Sequence, residues 1–166
     1  MKSPSSPLSQ VGDSNMSCIS VQTEPFDITA MQDELRAESP AIGALVSFVG
    51  LMRDINEGDT INTMTLEHYP GMTEKALETI IAEANERWDL IGIRVIHRVG
   101  ELKPQDPIVM VAITSAHRGE AFQACEFIID YLKSRAPFWK KESTPEGERW
   151  VDARHTDKDA EERWSK

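Results

Sequence analysis

The chain reads as one domain of mixed helix and strand, and three observations carry that reading. Its 166 residues, 40% of them apolar, are enough for a single core. Two long stretches, 74–88 and 119–135, repeat apolar residues at helical spacing: Ala76, Leu77, Ile80, Ile81, Ala84 and Trp88 in the first, Ala121, Phe122, Cys125, Ile128, Ile129 and Leu132 in the second. Around them lie short β-branched runs bounded by Gly, Pro and Asn, the pattern of sheet strands.

Residues 1–16 are rich in Ser and Pro with almost no large apolar side chains, which predicts a disordered extension, since they bury too little surface to offset ordering. Alternation at Cys18, Ile19 and Val21 predicts a first short strand. Asp27 or Thr29 can cap a short helix through Ala37, which Ser39-Pro40 ends. The run 41–50 is short, apolar and β-branched and predicts a buried strand. After the turn signal Asn56-Glu57-Gly58-Asp59, the run 60–69 predicts a strand paired with it as a hairpin. Pro70-Gly71 turns into the first long helix, with Thr73 placed as its N-cap. Residues 92–99 predict a strand and 100–106 a loop. The run 107–114, apolar on both faces, predicts a strand central in the sheet. Ser115 or His117 leads into the second long helix. Pro137 ends it near Arg135 or Ala136, because the residue before a proline is pushed out of the α region. Residues 138–142, the turn at 144–148 and a strand at 149–153 complete a C-terminal hairpin. The folded domain is thus expected over 17–154, followed by a polar tail, 155–166, with an isolated Trp164.

The formal net charge is −10, unevenly placed. Residues 1–132 hold nine Lys and Arg against twenty Asp and Glu, a net of −11, while residues 133–166 hold nine against eight, a net of +1. An acidic body of this kind repels nucleic acid at long range. No apolar run approaches the roughly 20 residues of a membrane span, and no apolar block follows Lys2 as a secretory signal would require. Cys18 and Cys125 lie far apart outside any CxxC spacing, and the four histidines show no metal-ligand spacing. Neither a disulfide framework nor a metal site is expected, and a reducing, cytoplasmic compartment is.

Residues 130–142, Asp-Tyr-Leu-Lys-Ser-Arg-Ala-Pro-Phe-Trp-Lys-Lys-Glu, concentrate cations and aromatics in this acidic chain. Lys133 falls on a helix end and Lys140 on a strand start, so the two can converge on one anionic group. The same residues also fit a basic helix terminus complementing the dipole, followed by an amphipathic strand. Arg53, at the end of a strand, fits either a clamp on phosphate or carboxylate or a surface turn. His117-Arg118 opens a helix, where the dipole disfavours cations; a bound anion would resolve that conflict. His68 and His97 lie on strands and read as satisfied or half-buried rather than catalytic. Cys125, on an apolar helix face, reads as inert core. No carboxylate pair suits glycosidase-type acid–base work, and there is no Gly-rich phosphate loop.

Four blocks occur in order: Thr65-Leu66-Glu67-His68-Tyr69-Pro70-Gly71-Met72, Val95-Ile96-His97-Arg98-Val99-Gly100-Glu101-Leu102, Thr114-Ser115-Ala116-His117-Arg118, and the stretch 130–142. With these blocks the chain closely resembles the MoaE family, the large, catalytic subunits of molybdopterin synthase, from about residue 26 to residue 164. The first 16 or so residues lie outside the match. The resemblance implies an α+β fold of the α/β-hammerhead type, with a mixed or antiparallel sheet, two long helices and a C-terminal hairpin. It implies a sulfurtransferase of molybdenum cofactor biosynthesis with no cofactor of its own, which converts cyclic pyranopterin monophosphate into the dithiolene molybdopterin. The sulfur donor implied is a small ubiquitin-like subunit whose C-terminal Gly-Gly ends in a thiocarboxylate. The assembly implied is a homodimer within a heterotetramer.

Carried over by motif, Lys133 and Lys140 match the family's active-site lysines. Arg53, His117 and Arg118 match residues associated with binding the pterin and its phosphate, Arg154 falls at a further pocket position, and Phe48 is expected to line the pocket. The family's pocket draws on both subunits of the dimer, so these groups need not converge within one chain. Two other functions compete: a non-catalytic scaffold that grips a ubiquitin-like tail, and a phosphate-ester hydrolase using His117 and the cations, for which no metal set or nucleophile is visible.

Overall fold

The strand-forming runs divide between two sheets, and that division positions the site. The computed structural model describes residues 18–56, 58–151 and 160–165. In chain order the elements are β1 (Ile19–Gln22), α1 (Ile28–Arg36), β2 (Ala44–Leu51), β3 (Ile55–Asn56), β4 (Asp59–Thr60), β5 (Thr63–His68), α2 (Met72–Arg87), β6 (Gly92–Arg98), β7 (Gly100–Leu102), β8 (Pro107–Ser115), α3 (Arg118–Arg135), β9 (Phe138–Thr144) and β10 (Gly147–Val151). The first sheet runs β1-β6-β8-β2 and is mixed, with β1 parallel to β6 and the other pairs antiparallel. The second runs β10-β9-β5-β7 and is antiparallel throughout, and β3-β4 form a separate two-stranded ribbon. Mixed and antiparallel sheets, two long helices and a C-terminal hairpin are the α+β architecture expected.

The central place of β8 explains its sequence. Val109, Val111 and Ile113 point to the core shared with α2 and α3, while Met110 and Ala112 point to a smaller core under Leu35 of α1. Strand periodicity thus makes the run apolar at every position because a helix covers each face. The largest side chain of the main core, Phe127, is fully buried and meets Trp88 and Tyr131 edge-on, at ring centroid distances of 5.3 and 4.5 Å. Truncating a ring so enclosed costs about 3–5 kcal/mol. A further core, built on Met52, Ile61, Met64, Leu66, Val99 and Leu102, lies under the second sheet.

Several local expectations are corrected. The run 41–50 does not pair with 60–69: β2 pairs with β8, whereas β5 joins β7 and β9 in the other sheet. The turn signal at 56–59 serves only the ribbon β3-β4. Nor is β2 an interior strand. It is an edge, half-buried along most of its length, and it is apolar because Leu45 and Val49 pack toward α1 while Ala44 and Val46 pack toward the main core. Residues 100–102 form a short strand, β7, within the expected loop. The α2 N-cap is Gly71, at φ +85°, whose N–H donates to the Glu74 carboxylate at 2.6 Å; Thr73 sits inside the first turn, buried, its hydroxyl accepting from the Tyr69 N–H. Asp27 rather than Thr29 caps α1, accepting from the Ala30 N–H at 3.0 Å.

Trp164 is not isolated. Its ring packs edge-on against Trp88 and Phe127, its Nε1–H donates to Asp130 at 2.7 Å, and Arg87 donates to its carbonyl at 2.8 Å. The sequence hid this because a lone aromatic among charges carries no periodicity, while the surface it covers is contributed by two distant helices.

Candidate active site

The chain bends between α3 and β9. Ala136 is extended, at φ −78° and ψ 131°, as a residue before proline must be. The Phe138 N–H then donates to the Ala136 carbonyl at 2.9 Å, and β9 begins. The bend turns the end of α3 and the start of β9 onto one cavity of about 670 Å³, which lies between β2, β6 and β8 of the first sheet and β5 and β9 of the second. Lys133, Lys140, Arg53 and Phe48 all line it. Lys133 and Arg53 are exposed at its rim, Lys140 is half-buried, and Phe48 is 39% exposed. Its floor is aliphatic, with Ile61, Met64, Leu66 and Val109 among the lining.

The four cations of residues 130–142 separate into two uses. Arg135 turns away from the cavity, stacks its guanidinium 3.8 Å over the Tyr131 ring and pairs with Glu83 and Glu161. Lys141 points to the opposite face of β9 from Lys140, pairs with Glu148 at 3.4 Å and lies over Trp150. Lys133 and Lys140 remain on the cavity. The helix-terminus reading therefore describes Arg135, and the converging reading describes the two lysines.

Two lining residues were missed among the sequence candidates. Glu142 is buried, 5% exposed, and its carboxylate accepts from Asn56 Nδ2 at 2.6 Å and from Arg149 Nε at 3.1 Å. Arg149 also pairs with Asp59 at 2.6 Å, so this network ties the β3-β4 ribbon to the C-terminal hairpin beside Lys140. Strand alternation, which puts 138, 140 and 142 on one face, was the signal that could have found it. His97 was set aside as a satisfied strand histidine, yet it lines the cavity too. Its ring stacks on Phe138, with centroids 3.8 Å apart and planes 16° from parallel, and joins the two sheets at the bend. Burial first, then the positive charges of Lys133 and Lys140, lowers its pKa from the ordinary 6.5 to about 3, against a raising contribution from the Arg98 carbonyl. The imidazole is neutral at any pH near 7.

His117 and Arg118 lie elsewhere. They open α3, fifteen residues before Lys133, so roughly 22 Å separates the two ends along the helix axis. Both are exposed, and His117 makes no side-chain cap bond, although its carbonyl accepts from the Ser115 hydroxyl. The junction is tight: a Cβ on Gly43 would sit 2.1 Å from the Ala116 carbonyl oxygen, so only glycine lets the lead into β2 pass there. Among the described residues neither His117 nor Arg118 lines the lysine cavity. Arg154 lies outside the described residues. Burial raises the Cys125 thiol to about 11, which fits an inert core residue. Among the described residues no group of three or more His, Cys, Asp or Glu could hold a metal ion, and no helix is long and apolar enough to cross a membrane.

The arrangement is a cavity with an aliphatic floor and ammonium and guanidinium groups at its mouth, suited to bringing anions together. Comparison with known proteins gives it a lineage. Residues 21–135 match the family model described as MoaE protein. The chain is 62% identical over 149 residues to the molybdopterin synthase catalytic subunit of Ralstonia nicotianae, covering 90% of this chain and 85% of that protein. Among solved structures, it superposes on the molybdopterin biosynthesis MoaE protein from Burkholderia ambifaria MC40-6 with a TM-score of 0.78 and 58% identity, over 91% of this chain and 99% of that one. It also superposes on molybdopterin synthase from Staphylococcus aureus with a TM-score of 0.75 and 32% identity, over 80% and 96% of the two chains. With the family model spanning more than half of its length and the fold shared across these relatives, this chain belongs to the MoaE family.

Proposed function

We propose that the protein is the catalytic subunit of a molybdopterin synthase. In this reading it moves sulfur from the thiocarboxylated C-terminal glycine of a small ubiquitin-like subunit to cyclic pyranopterin monophosphate, forming the dithiolene. The observation that carries the reading is the meeting of Lys133 and Lys140 on one cavity in a chain of this family. Both reactants are anionic, and their mutual repulsion opposes the encounter. Cations at the mouth of a low-dielectric cavity offset that repulsion and hold the reacting atoms at short range.

Each residue then has a part. Once the sulfur of the partner's terminal C(=O)S⁻ has bonded to the pterin, water attacks the acyl carbon, and Lys133 stabilises the charge developing on the acyl oxygen as the C–S bond breaks and the partner leaves as a carboxylate. Lys140, across the bend, serves as acid–base or as a second electrostatic contact. Arg53 clamps an anionic group at the rim. The exposed Phe48, Leu51 and Ile55 at the same rim give the slim tail an apolar surface. The sulfur arrives on the partner, so the chain needs no nucleophilic cysteine of its own, in keeping with a buried Cys125.

His117 and Arg118 act from the second chain of a homodimer, which sets their side chains beside the pterin phosphate in the partner's cavity. A homodimer within a heterotetramer and a cytoplasmic location complete the reading. The test is reconstitution: the purified chain, a thiocarboxylated partner ending in Gly-Gly and the cyclic precursor should yield dithiolene product. Phosphate release without sulfur incorporation would favour a hydrolase, and binding of the partner without any product would favour a scaffold.

A further inference from the structure

His97 is the one buried imidazole of the cavity wall, and its hydrogen bonding fixes what it can offer. Nδ1 lies 2.8 Å from the Arg98 carbonyl oxygen. A carbonyl only accepts, so Nδ1 carries the proton and Nε2 is left with a lone pair and no hydrogen. Among the described residues no side chain or backbone group donates to Nε2. Yet among the described residues no fully buried side-chain nitrogen or oxygen lacks a partner. Nε2 is therefore not sealed off; it opens on the cavity that His97 lines, from a ring only 5% exposed.

We propose that His97 is a substrate-recognition residue of this cavity, its Nε2 accepting a hydrogen bond from an N–H donor of the bound pterin. The inference rests on the synthase reading of the site. The cavity's other polar groups divide by sign. Lys133, Lys140 and Arg53 are donors, matched to the phosphate and to the thiocarboxylate. The Glu142 carboxylate is already occupied by Asn56 and Arg149. Nε2 is an acceptor that no described residue fills, and a lone pair aimed at an anion would repel it. A pterin carries ring N–H and amine donors, whereas the thiocarboxylate itself carries none. Phe138 covers one face of the imidazole and the Arg98 carbonyl fixes its in-plane rotation, so the lone pair is held before substrate arrives. The groups facing the ring are Lys133 from α3, Lys140 from β9 and His68 from β5, which together with burial keep the imidazole uncharged.

His97→Phe keeps an aromatic ring against Phe138 and removes both nitrogens, with a larger ring and without the bond to the Arg98 carbonyl, and His97→Gln restores an acceptor oxygen. Precursor affinity, measured by calorimetry without the partner, should weaken about tenfold in His97→Phe and recover partly in His97→Gln. Affinity for the ubiquitin-like partner should not change in either. Unchanged precursor affinity in His97→Phe would overturn the proposal, as would loss of partner affinity instead, which would assign Nε2 to a tail amide. In wild-type protein with ¹⁵N-labelled histidine, one unprotonated Nε2 resonance should move upfield on adding precursor. A resonance that stays fixed at saturation would also overturn it, whether or not the variants fold. If wild-type protein with partner makes no dithiolene, the synthase reading fails independently of His97.

Discussion

The two ends of α3 carry cations in opposite settings. At the C-terminal end Lys133 faces a cavity roofed by β9 and backed by the His97–Phe138 stack, and the helix dipole favours its charge. At the N-terminal end His117 and Arg118 stand exposed against the dipole, over a junction so tight that only glycine fits opposite it at position 43. One end lines a cavity formed within the chain. Among the described residues the other lies apart from that cavity. The difference teaches that some of the basic residues face outward, which is the arrangement the proposed homodimer requires if each chain is to serve the other's cavity.

The comparison can be broken first at its strong end. Lys133→Ala should lower dithiolene formation at least about 100-fold with thiocarboxylated partner, the scale of removing one donor from a developing oxyanion. Activity near the starting level would remove Lys133 from the chemistry. The stability of the same helix end is probed next. Trp164→Ala uncovers Trp88 and Phe127 and strips Asp130 of a 2.7 Å hydrogen bond, so chemical denaturation should show a loss of about 2 kcal/mol. A loss within error of zero would mean that residues 160–165 add nothing to the core.

At the outward end, Arg118→Ala should weaken precursor binding about tenfold and leave the melting temperature unchanged, since Arg118 makes no ion pair among the described residues. Unchanged affinity would make His117-Arg118 a surface feature. Near neutral pH the smallest expected effect concerns the wall between the ends. The folded protein keeps His97 neutral down to about pH 3, whereas the unfolded chain protonates it below about 6.5. Its contribution is thus full above pH 6.5 and is lost as pH falls toward 3, with a limiting slope of about 1.4 kcal/mol per pH unit. Denaturant titrations at pH 7, 6 and 5 should show His97→Phe losing stability less steeply than wild type; parallel slopes would mean that the imidazole takes up a proton in the folded state.

What the sequence made legible follows its physical periodicities. The helices, β8 and the proline bend were readable because burial and backbone sterics leave local marks: an apolar stripe, a two-faced apolar run, a residue forced out of the α region. Strand partners were not, because pairing is a long-range choice. The runs 41–50 and 60–69 look like hairpin neighbours, but intervening β3-β4 sends them to different sheets. Lys133 and Lys140 were legible through motif and bend together. Glu142 and His97 were not, since a charged or titratable residue on a strand looks solvated until the sheet that covers it is known. Trp164 was missed for the same reason in reverse, its partners lying on α2 and α3.

The central claim, that the lysine cavity of one chain is completed by the outward basic groups of another, is tested most directly by mixing two impaired variants. Lys133→Ala and Arg118→Ala chains, co-refolded in equal amounts and assayed with thiocarboxylated partner below precursor saturation, should recover about a quarter of wild-type dithiolene formation, because half of the dimers then hold one intact site of two. Activity no greater than the mean of the two separate variants would contradict it and place every working group of the site within a single chain.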